Sequence, residues 1–392
     1  MRETTDRHAL REGGMSRSRV AVVRCGRYDA ELVSEKVREA LDRVGGMAAF
    51  VKPGQKVLVK PNMLSAKAPE RAITTHPLVL DAVVRAVQAA GAEPSIGDSP
   101  SGALKGVKRC WENTGFLAVS ERTGAPLVHF EAGGTEVREA GGQRYHVARA
   151  VTGADVVINV PKFKTHGFAL FTGAIKNCYG VLPGFQKAAL HKRYPHPTDF
   201  SVRLVDLYAS VRPALTLMDG IVGMEGNGPA TGDVRTVGLL LASADGVALD
   251  AVAAAVMGFR EDEIDAIRIA GERGLGASRL ADIEIDGEPL ASARIPDFRL
   301  PSNHLMKAIP PVAARWLGRR LGRFIWVRPK SDPEKCTGCG VCVRACPVQA
   351  IRMENGKPVT DYRLCINCMC CNESCPEGAV IQELSWLARR FG

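Results

Sequence analysis

The sequence has no stretch near the roughly 18 uninterrupted apolar residues that a bilayer-spanning helix needs. Its first 14 residues, MRETTDRHALREGG, lack the apolar core of a signal peptide. Both absences predict a cytoplasmic protein without membrane association. Residues 1–14 read as a disordered tail ahead of Met15. Aromatic residues make up only 6% and do not interleave with the lysines and arginines as nucleic-acid grooves require. No nucleic-acid partner is therefore expected, despite a formal net charge of +10. No G-x-G-x-x-G follows the first strand and no Walker motif occurs, so a nicotinamide or ATP site lacks support. A flavin stays open, because many flavin sites carry no short signature. Cysteine is nearly missing before residue 330, where only Cys25, Cys110 and Cys178 occur.

What is present is ordinary globular material: 392 residues, 46% hydrophobic and 24% charged, long enough for two or three domains. The other nine cysteines all lie between Cys336 and Cys375. In a reducing cytosol such a cluster signifies metal or redox chemistry rather than disulfides. Cys336, Cys339, Cys342 and Cys346, closed by Pro347, follow the C-x2-C-x2-C-x3-C-P run of bacterial ferredoxins. The run recurs 29 positions later as Cys365, Cys368, Cys371, Cys375 and Pro376, and Ala350-Ile351 is echoed by Ala379-Val380. The repeat indicates an internal duplication.

Three cysteines two residues apart can wrap three corners of a cubane, while the fourth, displaced by the next turn, points to the other cubane. The spacing thus predicts two 4Fe-4S clusters with crossed ligands. One takes Cys336, Cys339, Cys342 and Cys375; the other takes Cys346, Cys365, Cys368 and Cys371. Each oxidised core with four thiolates carries about −2, lowering the working charge to roughly +6. A structural zinc site is the competing reading, but zinc uses two cysteine pairs rather than two runs of four closed by Cys-Pro. Cys370, the ninth cysteine, reads as a bystander. Two clusters in one small fold make a wire, and a wire needs a terminus in the rest of the chain.

That remainder reads as an α/β domain with a largely parallel sheet and flanking helices, followed by a small α+β domain like a bacterial ferredoxin. Short buried strands are predicted at 19–25, 56–60, 155–160 and 214–218. A helix opens at Pro77, carries Leu80, Val83, Val84 and Val87 on one face and stops at Gly91; another follows Asp245 as N-cap. In such sheets ligands bind beyond the C-terminal strand ends. Polar residues collect there: Lys60-Pro61-Asn62, His76, Gly97-Asp98-Ser99-Pro100, the 161–166 stretch with Lys162, Lys164 and His166, Lys176-Asn177, and Asp219-Gly220. Lys60, Lys162, Lys164 and Lys176 are expected to border one pocket that selects a carboxylate or phosphate. His76, beside a helix N-terminus, should stay neutral, with Asp98 or Asp219 to orient it; His166 is the alternative proton donor. The Gly223–Gly228 loop reads as a turn or a phosphate cradle.

With these residues and the terminal cysteines, residues 19–260 resemble domain-of-unknown-function family 362, in which an appended ferredoxin module is common. The resemblance implies an iron-sulfur protein and no particular reaction. A partial resemblance to nickel-pincer lactate racemases runs from His166 through Gly173 and Lys176 to Leu182-Pro183-Gly184. It implies Lys176 as a cofactor lysine and His166 as a proton carrier. Gly173-Ala174 stands where paired glycines are expected, so the likeness implies a related pocket more than the cofactor itself.

The domain limits read as 15–300 for the α/β domain, 301–330 for a linker and 331–392 for the cluster domain. The linker is basic and amphipathic, with Arg315, Arg319, Arg320 and Arg323 among Trp316, Leu317, Leu321, Phe324 and Trp326. A short terminal helix is expected over 384–390. Three functions compete. The first is an iron-sulfur oxidoreductase delivering electrons to a small anionic substrate or cofactor, with Lys176, His166, His76 and Asp98 catalytic, and Lys60, Asn62, Lys162, Lys164, Asn177 and Asp219 binding. The second is an electron carrier or assembly factor serving a redox partner protein. The third is a non-redox isomerase or racemase-like enzyme with structural clusters.

Overall fold

The computed structural model describes residues 17–101, 106–184, 186–302 and 327–386. The expected tail at 1–14, the aromatic and arginine positions of the linker, and residues 387–390 lie outside the described residues.

The large domain is built on β1 (Ser18–Arg24), β2 (Lys56–Pro61), β3 (Glu93–Ile96), β4 (Thr135–Ala140), β5 (Gln143–Ala148) and β6 (Val156–Val160). It continues with β7 (Lys162–His166), β8 (Leu170–Thr172), β9 (Leu215–Glu225), β10 (Asp233–Ser243) and β11 (Ile283–Gly287). Nine of these form one sheet in the order β11-β1-β10-β9-β6-β2-β3, with β7 on β9 and β8 on β7; β4 and β5 form a separate hairpin. The pairs β2 with β3, β2 with β6, β6 with β9, β7 with β9 and β1 with β11 are parallel. The expected α/β class with a largely parallel sheet is the class observed.

The sheet is buried on both faces, which explains why its strands read as continuous apolar runs. In β1, Val20 and Val22 face the helices Pro197–Val211 and Gly246–Met257, whereas Ala21 and Val23 pack with the helices Ala30–Arg43 and Pro77–Ala89. Pro77 sits at the first helical position, and the His76 Nδ1 accepts the Leu78 N–H at 3.2 Å as the cap. Asp245 caps its helix by accepting from Val247 and Ala248 N–H.

Two expectations are corrected. Residues 161–166, read as a loop leaving a strand, are mostly β7, whose five residues are all buried between β8 and β9. The strand predicted to end at Met218 runs through Asp219, Gly220 and Gly223 to Glu225, because β10 pairs along it. Polar residues and glycines alone predict turns at these positions, but ladder hydrogen bonds carry the strands onward.

The C-terminal module holds β12 (Val327–Ser331), β13 (Ile351–Glu354), β14 (Lys357–Thr360) and β15 (Val380–Leu384), paired β12 with β15 and β13 with β14, both antiparallel. Its helices, Val341–Ala345 and Cys370–Ser374, are 29 residues apart in register, so the sequence repeat is also a structural one. The left-handed turn residues Gly338 (φ +73°) and Gly340 (φ +68°) are matched by Asn367 (φ +52°) and Met369 (φ +61°).

The module docks on the large domain through polar contacts. The Gln382 amide donates to the Asn227 and Gly228 carbonyls, Asn372 donates to the Thr231 hydroxyl at 3.0 Å, and the Ser101 and Ser374 hydroxyls lie 3.0 Å apart. The 226–228 loop is therefore a seat for the module rather than a phosphate cradle.

Candidate functional site

Beyond the C-terminal ends of β2, β3 and β6 the polar residues form three layers. The innermost is held by buried ion pairs. Lys60 Nζ lies 2.8 Å from Asp98 Oδ1, and Asp98 Oδ2 accepts the Met63 N–H at 2.7 Å. Both side chains are buried, and removing one partner of such a pair costs about 3–5 kcal/mol. Gly180 makes room for them, since a Cβ there would fall 2.0 Å from Asp98 Oδ1. Lys162 pairs with Asp219 at 2.8 Å and also donates to the Tyr28 hydroxyl at 2.7 Å, which donates to Asp219 Oδ1 at 2.8 Å.

His76 belongs to this inner layer. Its ring stacks on Tyr28 with centroids 3.6 Å apart, and burial lowers its pKa to about 4. Asp219 accepts from the His76 backbone N–H at 2.8 Å, and Asp98 is engaged with Lys60, so neither carboxylate orients the imidazole as expected. Lys60, His76 and Asp219 line neither of the cavities described next.

The second layer is two cavities that share Asn62, Leu64, Lys176 and Asn177. The smaller adds Lys162, Lys164 and Thr172. Lys164 Nζ donates to the Ile73 carbonyl at 2.6 Å; burial first, and Lys176 second, hold its pKa down to about 7. The larger cavity, about 80 Å³, adds Asp98, Ser99, Lys187 and His191 from the α/β domain. Lys176 makes no hydrogen bond or ion pair among the described residues; its ammonium lies 5.5 Å from the Tyr179 ring centroid, and burial lowers its pKa. The short helix Ala174–Asn177 that carries it is anchored by Asp250, which accepts from the Ala174 and Ile175 N–H groups at 2.6 and 3.0 Å.

The third layer comes from the module, which closes the larger cavity with Ala345, Cys370, Glu373 and Ser374. His166 lines neither cavity. Its Nδ1 accepts the Phe168 and Ala169 N–H groups at 2.9 and 3.1 Å, so the proton of the neutral ring sits on Nε2, which donates to Glu373 at 3.1 Å. Burial, then Lys176, lowers the His166 pKa to about 3. Burial of Glu373 opposes its ionisation, but the His166 hydrogen bond and the Lys176 charge outweigh that and hold it at about 2.

Sequence reasoning brought Asn62, Asp98, Lys162, Lys164, Lys176 and Asn177 to one site and missed Tyr28, Lys187, His191 and Glu373. Lys187 and His191 lie on the helix Gln186–Arg193, whose composition reads as solvated surface; their i, i+4 spacing on one face was the available signal. Glu373 is 207 positions from its partner His166 and carries no local signal.

In the module, Cys336, Cys339, Cys342 and Cys375 line one cavity, and Cys346, Cys365, Cys368 and Cys371 line another together with Cys370. The crossed sets expected from spacing are the sets that share a cavity. None of the twelve cysteines is in a disulfide. The sulfurs ring a space rather than converge: among the described residues no three His, Cys, Asp or Glu side chains gather closely enough for a single metal ion. The Ala350 and Ala379 N–H groups each donate to a cysteine sulfur, Cys346 and Cys375, at 3.2 Å. Four thiols around a cavity with amide donors to sulfur fit a polynuclear iron-sulfur group. Cys25, Cys110 and Cys178 are buried core thiols with pKa values pushed up by burial to about 11, 11 and 12.

Residues 57–255 of the 392 match the family model described as Domain of unknown function (DUF362). The chain belongs to this family. Residues 329–352 of this DUF362 chain match a 4Fe-4S binding domain. Thylakoid-associated protein sll1697 of Synechocystis sp. is 40% identical over 235 residues, covering 59% of this chain and 72% of that protein. Ferredoxin-2 of Desulfomicrobium norvegicum is 54% identical over 28 residues, 7% of this chain and 48% of that protein. Among solved structures, the lactate racemase apoprotein from Thermoanaerobacterium thermosaccharolyticum aligns with a TM-score of 0.38 and 11% identity, covering 77% of this chain and 90% of that one. No helix among the described residues is long and apolar enough to cross a membrane.

Proposed function

We propose that this DUF362 chain is an iron-sulfur oxidoreductase of a reducing compartment, passing electrons through two 4Fe-4S clusters to an anionic substrate or cofactor in the α/β domain. Cys336, Cys339, Cys342 and Cys375 would hold one cluster, and Cys346, Cys365, Cys368 and Cys371 the other. One observation carries the reading: Cys370, next to Cys371, lines both the second cysteine cavity and the lysine-bearing cavity. The terminus of the wire and the anion pocket share a wall.

The clusters, when bound, supply single electrons. The rest falls to the chain's own residues. Lys176, unpaired and half-buried, attracts and orients the anion. Lys187 is tethered by the Ser99 and Pro100 carbonyls and the Ser99 hydroxyl at 2.7 to 3.1 Å, which fixes a second positive charge at the rim. His191, neutral at pH 7, has a buried Nδ1 without a partner that can bond to a bound molecule. Glu373, fixed by His166, ties the module to β7 of the α/β domain.

The test is mass spectrometry of small molecules that co-purify anaerobically with the full chain. The wild type should retain an anionic compound, and Lys176→Ala should lose it with its iron content unchanged. Loss of iron in K176A would refute the assignment of Lys176.

A second reading, an electron carrier serving a redox partner protein, is favoured by exposed apolar side chains on the module, including Met353, Val359, Leu364 and Ile381. It requires that the cavity retain no small molecule.

A further inference from the structure

The two cavities differ in chemistry. The larger touches Cys370, Glu373 and His191, whereas the smaller is lined by lysines and amides. In the smaller one, Lys162 is neutralised by Asp219 at 2.8 Å. Lys164 has only the Ile73 carbonyl, and neither Lys164 nor Lys176 has a carboxylate within 4 Å among the described residues. Burial first, and the neighbouring Lys176 charge second, disfavour the charged form of Lys164. Water is displaced from such a site only at high electrostatic cost, unless an anion supplies the missing charge.

Asn177 adds a second requirement. Its Nδ2 donates to Asn159 Oδ1 at 2.8 Å and to the Pro61 carbonyl at 3.3 Å, while Asn159 Nδ2 donates to the Ala174 carbonyl at 3.0 Å. This network allows the amide only one way round. It leaves Asn177 Oδ1 buried and without a donor, on a residue that lines both cavities. The lysines call for negative charge, and the orphan acceptor calls for an O–H or N–H.

We infer that the smaller cavity is a head-group subsite for a phosphate monoester bound as its singly protonated form, whose P–OH meets Asn177 Oδ1, with the rest of the same molecule extending into the larger cavity toward Cys370; inorganic hydrogen phosphate is that head group alone. The head-group half stands on the lysines and Asn177 alone. The orientation toward Cys370 rests on the proposed electron route.

The experiment is calorimetric titration of the iron-loaded, oxidised full chain at pH 7 under anaerobic conditions with inorganic phosphate and, separately, with sulfate. The two ions are alike in size, but sulfate has no proton to offer Asn177. Phosphate should bind at least about tenfold more tightly than sulfate, because a buried acceptor left unpaired is costly. Lys164→Met should weaken phosphate at least about tenfold, and Lys36→Met, at a partly exposed position of the helix Ala30–Arg43 that lines neither cavity, should leave it unchanged. Equal affinity for the two ions would overturn the donor requirement, and no phosphate binding would overturn the subsite. The phosphate-to-sulfate contrast needs no variant, so it decides the matter even if K164M fails to fold. Phosphate binding in a chain whose clusters reduce nothing would sustain the subsite and sink the electron route. Electron transfer without phosphate preference would do the reverse.

Discussion

His191 sits in an aromatic cage, stacked on Phe200 with centroids 4.3 Å apart and edge-on to Tyr179, and burial lowers its pKa to about 4. A base whose folded pKa lies below its unfolded value of about 6.5 binds fewer protons in the folded state between those values. Its contribution is therefore present above pH 6.5 and is lost as pH falls toward 4. At pH 5 the loss is about 2 kcal/mol for one such histidine. Asp250, raised to about 7 by burial, slopes the opposite way, so the difference between variants is the informative quantity. His191→Phe should be no less stable than wild type at pH 7, where it removes an unpartnered Nδ1, and should be more stable by about 2 kcal/mol at pH 5. Urea midpoints at the two pH values check this; parallel losses in both proteins would contradict it. His191 was illegible because a histidine among lysines on a short helix looks solvated, and only tertiary packing turns that face inward. Lys164, Lys176 and Asn177 were legible as polar residues just after apolar runs, where parallel sheets concentrate chemistry, although Lys164 itself lies within β7 and Lys176 and Asn177 on the short helix after β8.

The duplicated cysteine loops show how an element's geometry outlasts its sequence. Gly338 and Asn367 occupy the same left-handed turn 29 residues apart, yet only the first is glycine. A Cβ at Gly338 would come within 2.6 Å of the Gly356 carbonyl oxygen, whereas asparagine tolerates this backbone region. Gly338→Ala should thus destabilise its loop by about 1–2 kcal/mol or more and lower iron from about eight per chain toward about four. Asn367→Gly should leave the iron near the wild-type level. Colorimetric iron on both variants checks the pair, and equal iron in the two would contradict it. At this scale the cysteine loops and the Pro77 helix were readable because each has a local signature: fixed sulfur spacing, or a proline start with a 3.6-residue period. The extent of β9 and the existence of β7 were not, because partners far along the chain, β10 and β8, set them.

The whole molecule joins a doubly covered sheet to a duplicated cysteine module across a polar seam, in which Glu373 crosses from the module to His166 and Cys370 lines two cavities. That seam had no sequence signal, since it joins segments about 200 residues apart that carry no shared pattern. The class of each half was readable from its own periodicity and spacing, but their juxtaposition arises only in three dimensions. That juxtaposition puts Cys370 on the wall of the pocket lined by Lys176 and Lys187. Everything in this reading depends on metal at the crossed cysteine sets. The direct measurement is metal and acid-labile sulfide per chain in anaerobically prepared protein. About eight iron and about eight sulfide, with Cys375→Ala losing about half of each, is the expected result. Zinc in place of iron, or about four iron in the wild type, would contradict it.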